Sequence, residues 1–480
     1  MIRRVAPALV VLAVVAAACG SEAPPRPALA DGIVVNNEPI IVIPNQSVAI
    51  DLDGDGVETV TLSAADSFDP DPGGEIVEYH WTRGLDELAV TPELTEQFDV
   101  GEHIVTVSVL DDGGLTDIRS TVVRVLEPYT GTPESPDIDL WQGSEIGTGE
   151  AVAQRWFDVL GNVSDPDGID SLVYSLNGAV PESLSFGPNS RRLVREGDFV
   201  IDILRSDLLE GVNTVEIRAV DKLGEATIAL VQIDNVTPEN PAARDLPLTV
   251  DWSEQELQGL VEIVDGNWRI EGEEVVIDDS AAGYDRLLAI GDTSMADFDV
   301  TTTVTPVALL ENVGPFSNTP GFGYLLRWTG HSNSTTPNSQ PLQGFRPDDT
   351  GNVAPIGGFS FYTFDGADGR LEMQDQAGEV KTFDESVQVR VGSSYRFRAQ
   401  VQSYPGGAVY RAKLWSVGAG EPGWQVSSVA GQGTTEPPSG SLVLVAHEMT
   451  VRFGAVEISP IAAADRLTID EVNSLRLLQS

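Results

Sequence analysis

Three groups of residues in this sequence have the types and spacing to do chemistry. Asp51-Leu52-Asp53-Gly54-Asp55-Gly56 sets carboxylates at alternate positions with glycines between them. Oxygens so spaced can wrap a calcium ion, and glycine permits the sharp turn that the loop requires. The twelfth position of such a loop is Leu62 rather than a bidentate Glu, and Glu58 falls too early. Asp and Gly in this order are equally what a polar hairpin needs, so metal and turn both stand as readings of Asp51, Asp53 and Asp55. The second group is cationic and aromatic. Alternation in Tyr395-Arg396-Phe397-Arg398-Ala399-Gln400-Val401 puts Arg396, Arg398 and Gln400 on one face and Tyr395, Phe397 and Ala399 on the other. Residues 410–415 give Arg411, Lys413 and Trp415 a common face, and residues 324–328 set Arg327 opposite Tyr324 and Trp328. Were these strands neighbours in a curved sheet, its concave side would present Arg327, Arg398, Lys413, Trp415 and His447. Guanidinium groups beside an aromatic plate suit hydroxyl-rich or uronate sugars. In a chain this acidic, the same arginines equally serve as partners for nearby carboxylates. The third group is the loop after Trp328, Thr329-Gly330-His331-Ser332-Asn333, with Gln340 beyond it, a place where rim loops carry specificity.

Catalytic signatures are sparse. There is no Glu-x-Asp-x-x-Glu strand of the kind that places two carboxylates across a glycosidic bond. His447-Glu448-Met449-Thr450-Val451 opens like a zinc-protease helix but has Val451 where the second ligand must stand. No Gly-x-Ser-x-Gly elbow and no Gly-Lys phosphate loop occurs. A lyase would have to draw on Arg327, Gln340, His447 and Tyr410. With 74 acidic against 28 basic residues the net charge is -46, a field that argues against nucleic acid or an anionic membrane surface as partner.

The elements that must position these residues are strands. Val60-Thr61-Leu62-Ser63, Ile76-Val77-Glu78-Tyr79-His80-Trp81, Ile104 through Val109 and Thr121 through Val125 alternate with period two. Gly, Asp and Pro clusters separate them. Tyr79 and Trp81 share one face of a strand, as do Val105, Val107 and Val109 of another, so both sets should face an inter-sheet core. Ser67-Phe68-Asp69-Pro70-Asp71-Pro72-Gly73-Gly74, Tyr79-His80-Trp81 and Gly101-Glu102-His103 through Asp111-Asp112-Gly113-Gly114 resemble the PKD domain. That resemblance implies an immunoglobulin-like β-sandwich used as a spacer or adhesion module, over residues 33–127. In residues 136–236, Asp165-Pro166-Asp167-Gly168 repeats the first turn, and residues 211–221 can be laid on residues 101–111 without a gap. This stretch resembles a second bacterial immunoglobulin-like domain. Residues 237–244 read as a linker containing proline.

Residues 245–461 are larger and more aromatic, with strand patterns at residues 298–304, 323–328, 395–401, 410–415, 442–447 and 449–458. Strands of this number and length suit a two-sheet jelly roll. Their order resembles concanavalin A-like, laminin-G-like domains, which implies that residues 298–304 pair with residues 451–458. The fold class expected is therefore all-β, two immunoglobulin-like sandwiches followed by a larger concanavalin A-like jelly roll. In the tail, residues 462–480, Leu467, Val472, Leu475 and Leu478 recur at near-helical spacing, as a docked helix or a frayed end.

The chain opens with Arg3 and Arg4, a short apolar run and Ala17-Ala18-Cys19, which resembles the bacterial lipobox with Ala16 in place of the usual Leu. Cys19 is the only cysteine, so no disulfide can form. The resemblance implies a signal over residues 1–19, a lipid on Cys19 and a tether over residues 20–32. The expectation is an extracytoplasmic protein held to the envelope by its lipid alone, with an extracellular polysaccharide or surface protein as partner. No cofactor is called for apart from calcium at the Asp51 loop. The alternatives are a polysaccharide lyase or glycoside hydrolase in the jelly roll, and an envelope protein with a purely structural role.

Overall fold

A computed structural model describes residues 39–44, 46–69, 71, 73–127, 134–147, 154–189, 191–235, 246–252, 257, 261–277, 283–310, 319–332, 340–342, 356–365, 368–376, 378–430 and 436–479. The expectations for Cys19, the signal, the tether and the linker fall outside them. Among the described residues the regular structure is almost entirely strand, so the all-β expectation holds. No helix among them is long and apolar enough to cross a membrane.

The first sandwich sets a five-stranded sheet against a two-stranded antiparallel one, Val57–Ser63 with Glu93–Asp99. Its sheet runs Gln46–Ile50, Thr116–Leu126, Gly101–Asp111, Ile76–Arg83, Asp86–Ala89. The alternating valines face inward as their period requires: Val105, Val107, Val109, Val123 and Val125 meet Val60, Leu62, Leu94 and Phe98. Each such side chain contributes roughly 1.5–3 kcal/mol on burial. Trp81 lies wholly inside, and its Nε1 donates to Thr91 O at 2.9 Å, which satisfies its one polar atom.

In the second sandwich a three-stranded sheet, Asp198–Leu204, Trp156–Ser164, Asp137–Leu140, packs on a five-stranded one built round Gly211–Asp221. Here alternation does two jobs. Phe157, Val159, Phe199, Ile201 and Ile203 face the sandwich core with Val215, Ile217, Val231 and Ile233. The intervening positions of the same strands, among them Asp158, Leu160, Val200 and Asp202, face outward and are buried too. A strand apolar on both faces must be covered on both. The cover is the third sandwich, whose core takes in Leu160, Leu193 and Val200 together with Val261, Leu288 and Ile290. The second and third units thus share one hydrophobic core.

The third unit stacks a seven-stranded sheet on an eight-stranded one. Phe298–Leu309 lies between Tyr395–Tyr404 and Met449–Ser459, with Val300 opposite Ile458 and Thr302 opposite Val456, the early-to-late pairing expected. Phe322, Tyr324 and Leu326 from one sheet meet Phe397, Ala399 and Leu414 from the other. The tail forms a helix, Ile469–Gln479. Thr468 and Glu471 cap it reciprocally, Thr468 N to Glu471 Oε2 at 2.7 Å and Glu471 N to Thr468 Oγ1 at 3.3 Å. Val472 is buried, and the Gln479 amide bonds Val429 N and Ser427 O, so the helix docks on strand Val426–Val429.

Candidate functional site

The structure does not gather the expected groove. Arg398, Lys413 and Trp415 lie on the outer side of the eight-stranded sheet, whereas Arg327, Trp328 and His447 belong to the seven-stranded one. Nor does the outer face stand open. Arg398 makes a two-pronged bond to Asp299 at 2.8 and 2.7 Å and further bonds to Glu421 at 2.6 Å and Asp465 at 2.8 Å. The bond to Asp299 and the other two carboxylates hold its pKa above the usual value despite partial burial. Arg411 reaches Gln400 and Asp465 O, and burial lowers it to about 10. Lys413 pairs with Glu421 at 2.7 Å. Trp424 lies over all three cations, its ring 5.2 Å from Arg398, 4.6 Å from Arg411 and 4.4 Å from Lys413. Reading the strands alone missed Trp424. The signal was an aromatic residue in the connection Gly420-Glu421-Pro422-Gly423-Trp424, three residues after an acid.

Arg327 departs from its expected face for a local reason. A bulge between Leu326 and Trp328 puts Arg327 at φ 57, and the alternation slips. Trp328 consequently joins Leu325 on the outer face of its sheet instead of lying with Tyr324. Arg327 itself is buried, bonded to Glu436 at 2.8 Å, Ala296 O and Ser403 Oγ at 2.6 Å. Tyr410, a candidate acid, bonds that same Glu436, and burial raises it well above its normal range. His447 is held at 2.8 Å by Asp285, which raises its pKa although burial alone would lower it. The ring of Tyr284 lies edge-on at 4.8 Å.

His331 and Gln340 fall in a different constellation, the seam between the second and third sandwiches. Arg192 is its hub. Its Nε reaches both Asp265 oxygens at 2.7 and 2.9 Å, and Nη1 both Asp202 oxygens at 2.8 Å. Its remaining protons go to Leu342 O at 2.7 Å and Val264 O at 2.9 Å. Burial alone would lower Arg192, but Asp202, Asp265 and Asp158 together raise it, so it stays charged. Arg286, equally buried, donates to the carbonyls of Arg191 and Arg192. Gln340 brackets Asp202 through both its amide atoms. Burial pushes Glu262 up to about 8 and Asp265 to about 6, and with the help of Asp202 it raises Asp158 well above its normal range. His331, edge-on to Trp328 at 4.9 Å, is held neutral by burial and then by Arg192. A void of about 10 Å³ between Gln154, Trp156, Asp158, Glu262 and His331 has room for one water and no substrate.

At the Asp51 loop the three carboxylates do converge, with one oxygen from each within 4.8 Å of the others. Their oxygens already serve the turn. Asp51 accepts from Gly54 N at 2.8 Å, Asp55 N at 3.1 Å and Gly56 N at 2.8 Å, and Asp55 accepts from Val57 N at 3.0 Å. These are the bonds of a polar turn, although not of a hairpin, because the loop carries the chain from strand Gln46–Ile50 of one sheet to strand Val57–Ser63 of the other.

One concave surface on the third unit does face solvent. Gln388, Arg390, Ser393, Ser394, Tyr395, Ser416 and Val417 line a hollow of about 560 Å³. Arg390 is exposed and pairs with no carboxylate among the described residues. The volume is in the range of small-ligand sites.

No protein-family model matches the chain, and no curated protein is similar to it in sequence. Solved structures that overlap parts of it include lectin II from Ulex europaeus, at 8% identity over 45% of this chain and 98% of that one, TM-score 0.31. A carbohydrate-binding module from Bacillus subtilis overlaps at 11% identity over 42% and 94%, TM-score 0.26. Drosophila N-cadherin EC1-4 overlaps at 15% identity over 53% and 72%, TM-score 0.19. The fold assignment rests on the strand pairings above.

Proposed function

We propose that the chain is an exported surface protein, lipid-anchored at Cys19, that uses two sandwiches as a spacer and offers a polar ligand site on its jelly roll. The observation that carries the binding reading is the contrast between Arg398, Arg327 and Lys413, each tied to carboxylates, and Arg390, which faces an open hollow with three serines and Gln388. A guanidinium among hydroxyls recognises acidic or hydroxyl-rich groups, which suits a uronate-bearing glycan or an acidic segment of a surface protein. The shared core with the second sandwich gives that head a rigid base. The test is a glycan-array screen of the chain from Gly20 onward, followed by analysis of products on every hit. Binding without turnover, weakened about tenfold or more by Arg390→Ala as loss of a charge-assisted bond should do, supports the reading. Retained binding in that variant moves the site elsewhere, and no binding to any glycan or surface protein leaves the structural envelope role.

A second reading, a lyase or glycoside hydrolase, is favoured by one arrangement. His447 is oriented by Asp285 with Tyr284 against its ring, as an acid-base pair would be. Released oligosaccharides in the same screen, abolished by His447→Ala, would establish it over the binding role.

A further inference from the structure

Two turns of the second sandwich meet at its end nearest the first. One follows strand Trp156–Ser164 and the other follows strand Gly211–Asp221. Backbone bonds stitch them together, Gly168 N to Asp165 O at 3.1 Å and Lys222 N to Gly168 O at 3.0 Å. Asp165 and Asp221 each commit one carboxylate oxygen to this scaffold. Asp165 Oδ1 accepts from Asp167 N at 2.7 Å, and Asp221 Oδ1 accepts from Leu223 N and Glu225 N at 2.8 Å. Their Oδ2 atoms, and Oδ2 of Asp167, are buried and receive no hydrogen bond. Asp167 is only 2% exposed and Asp221 only 1%. One oxygen from each of the three carboxylates lies within 4.8 Å of the others. None of the three pairs with a Lys or Arg among the described residues.

Buried carboxylate oxygens left with neither donor nor counter-ion are costly, and a cation is the direct remedy. We propose that Asp165, Asp167 and Asp221 form a calcium site, with the three unpartnered oxygens as protein ligands. All the donors are hard oxygens, which excludes the thiolate and imidazole sets that select zinc. Two oxygens across a calcium ion stand at most about 5 Å apart, whereas magnesium demands about 4 Å and keeps most of its waters. The first sandwich repeats the backbone without the site. Asp69 Oδ1 accepts from Asp71 N at 2.8 Å and Asp111 Oδ1 from Leu115 N at 2.7 Å, yet those carboxylates are not among the clusters that converge. Lys222, next to Asp221, donates from Nζ to Val48 O at 2.7 Å, so an ion here fixes the turn that touches the first sandwich.

The experiment is calcium titration by calorimetry, with thermal melts in calcium and in chelator, on the chain from Gly20 onward and on Asp167→Asn and Asp51→Asn. The parent should bind calcium in the micromolar-to-millimolar range and melt several degrees higher with it. Asp167→Asn should weaken that binding at least tenfold. In chelator it should melt no lower than the parent, because its carboxylate accepts no bond that the scaffold needs. Asp51→Asn should keep the binding event. No calcium binding by the folded parent overturns the proposal. So does unchanged affinity in Asp167→Asn, a lower melt of that variant in chelator, or binding abolished by Asp51→Asn alone.

Discussion

The two seams between the sandwiches both bury carboxylates and balance them in opposite ways. At the second seam Asp202 and Asp265 are matched from within by Arg192, and Glu262 holds its proton to about pH 8. At the first, Asp165, Asp167 and Asp221 have backbone amides on some oxygens and nothing on the rest. A seam that carries its own guanidinium balances most of its buried charge from within. One that lacks it depends on what the medium supplies.

The contrast is broken most sharply at Arg192. Arg192→Ala would leave Asp202 and Asp265 buried and unmatched, at a cost of about 3–5 kcal/mol, so melting of the shared core should fall by on the order of 10 °C. A shift of a degree or two would mean that the second seam is not held by its internal ion pairs. pH sharpens the comparison next. Glu262 is raised from 4.5 to about 8 by burial, so its neutral form is the one that the fold favours. Its stabilising contribution is full below about pH 4.5, declines as pH rises, and is gone above about pH 8, on the order of 5 kcal/mol at most. Melts from pH 5 to 8.5 should therefore fall, and Glu262→Gln should flatten the slope; an unchanged slope would remove Glu262 as its cause. The smallest effect belongs to the first seam. Lys222→Ala loses one bond to Val48 O and should cost about 1 kcal/mol, seen as a slight loss in the melt. A loss as large as that of Arg192→Ala would erase the difference between the seams.

Much of the architecture was readable from alternation alone. Val105, Val107 and Val109 point where period two sends them, whereas the pairing of residues 298–304 with the late strand was implied by the resemblance to concanavalin A-like domains. The candidate groove was not readable, for two physical reasons. Alternation tells which residues share a face but not which strands share a sheet, and Arg327 and Arg398 lie in different sheets. Alternation also fails at a bulge, and the single left-handed residue Arg327 moved Trp328 to the opposite side. The second seam did leave a trace. Phe199-Val200-Ile201-Asp202-Ile203-Leu204 is apolar on both faces with one acid among them, the mark of a strand covered twice and carrying a buried charge.

Strand direction has a mechanical consequence. The first sandwich begins with Gln46–Ile50, which runs parallel to its final strand Thr116–Leu126 over a five-residue register. In the second sandwich the parallel match of Glu145–Gly147 with Ala226–Asn235 spans three. Tension between the two ends of the chain draws such a pair past each other lengthwise, so all its hydrogen bonds bear load at once instead of unzipping in turn. The shorter patch in the second sandwich is the one that yields first under load. The shared core beside it then decides how far the rupture runs.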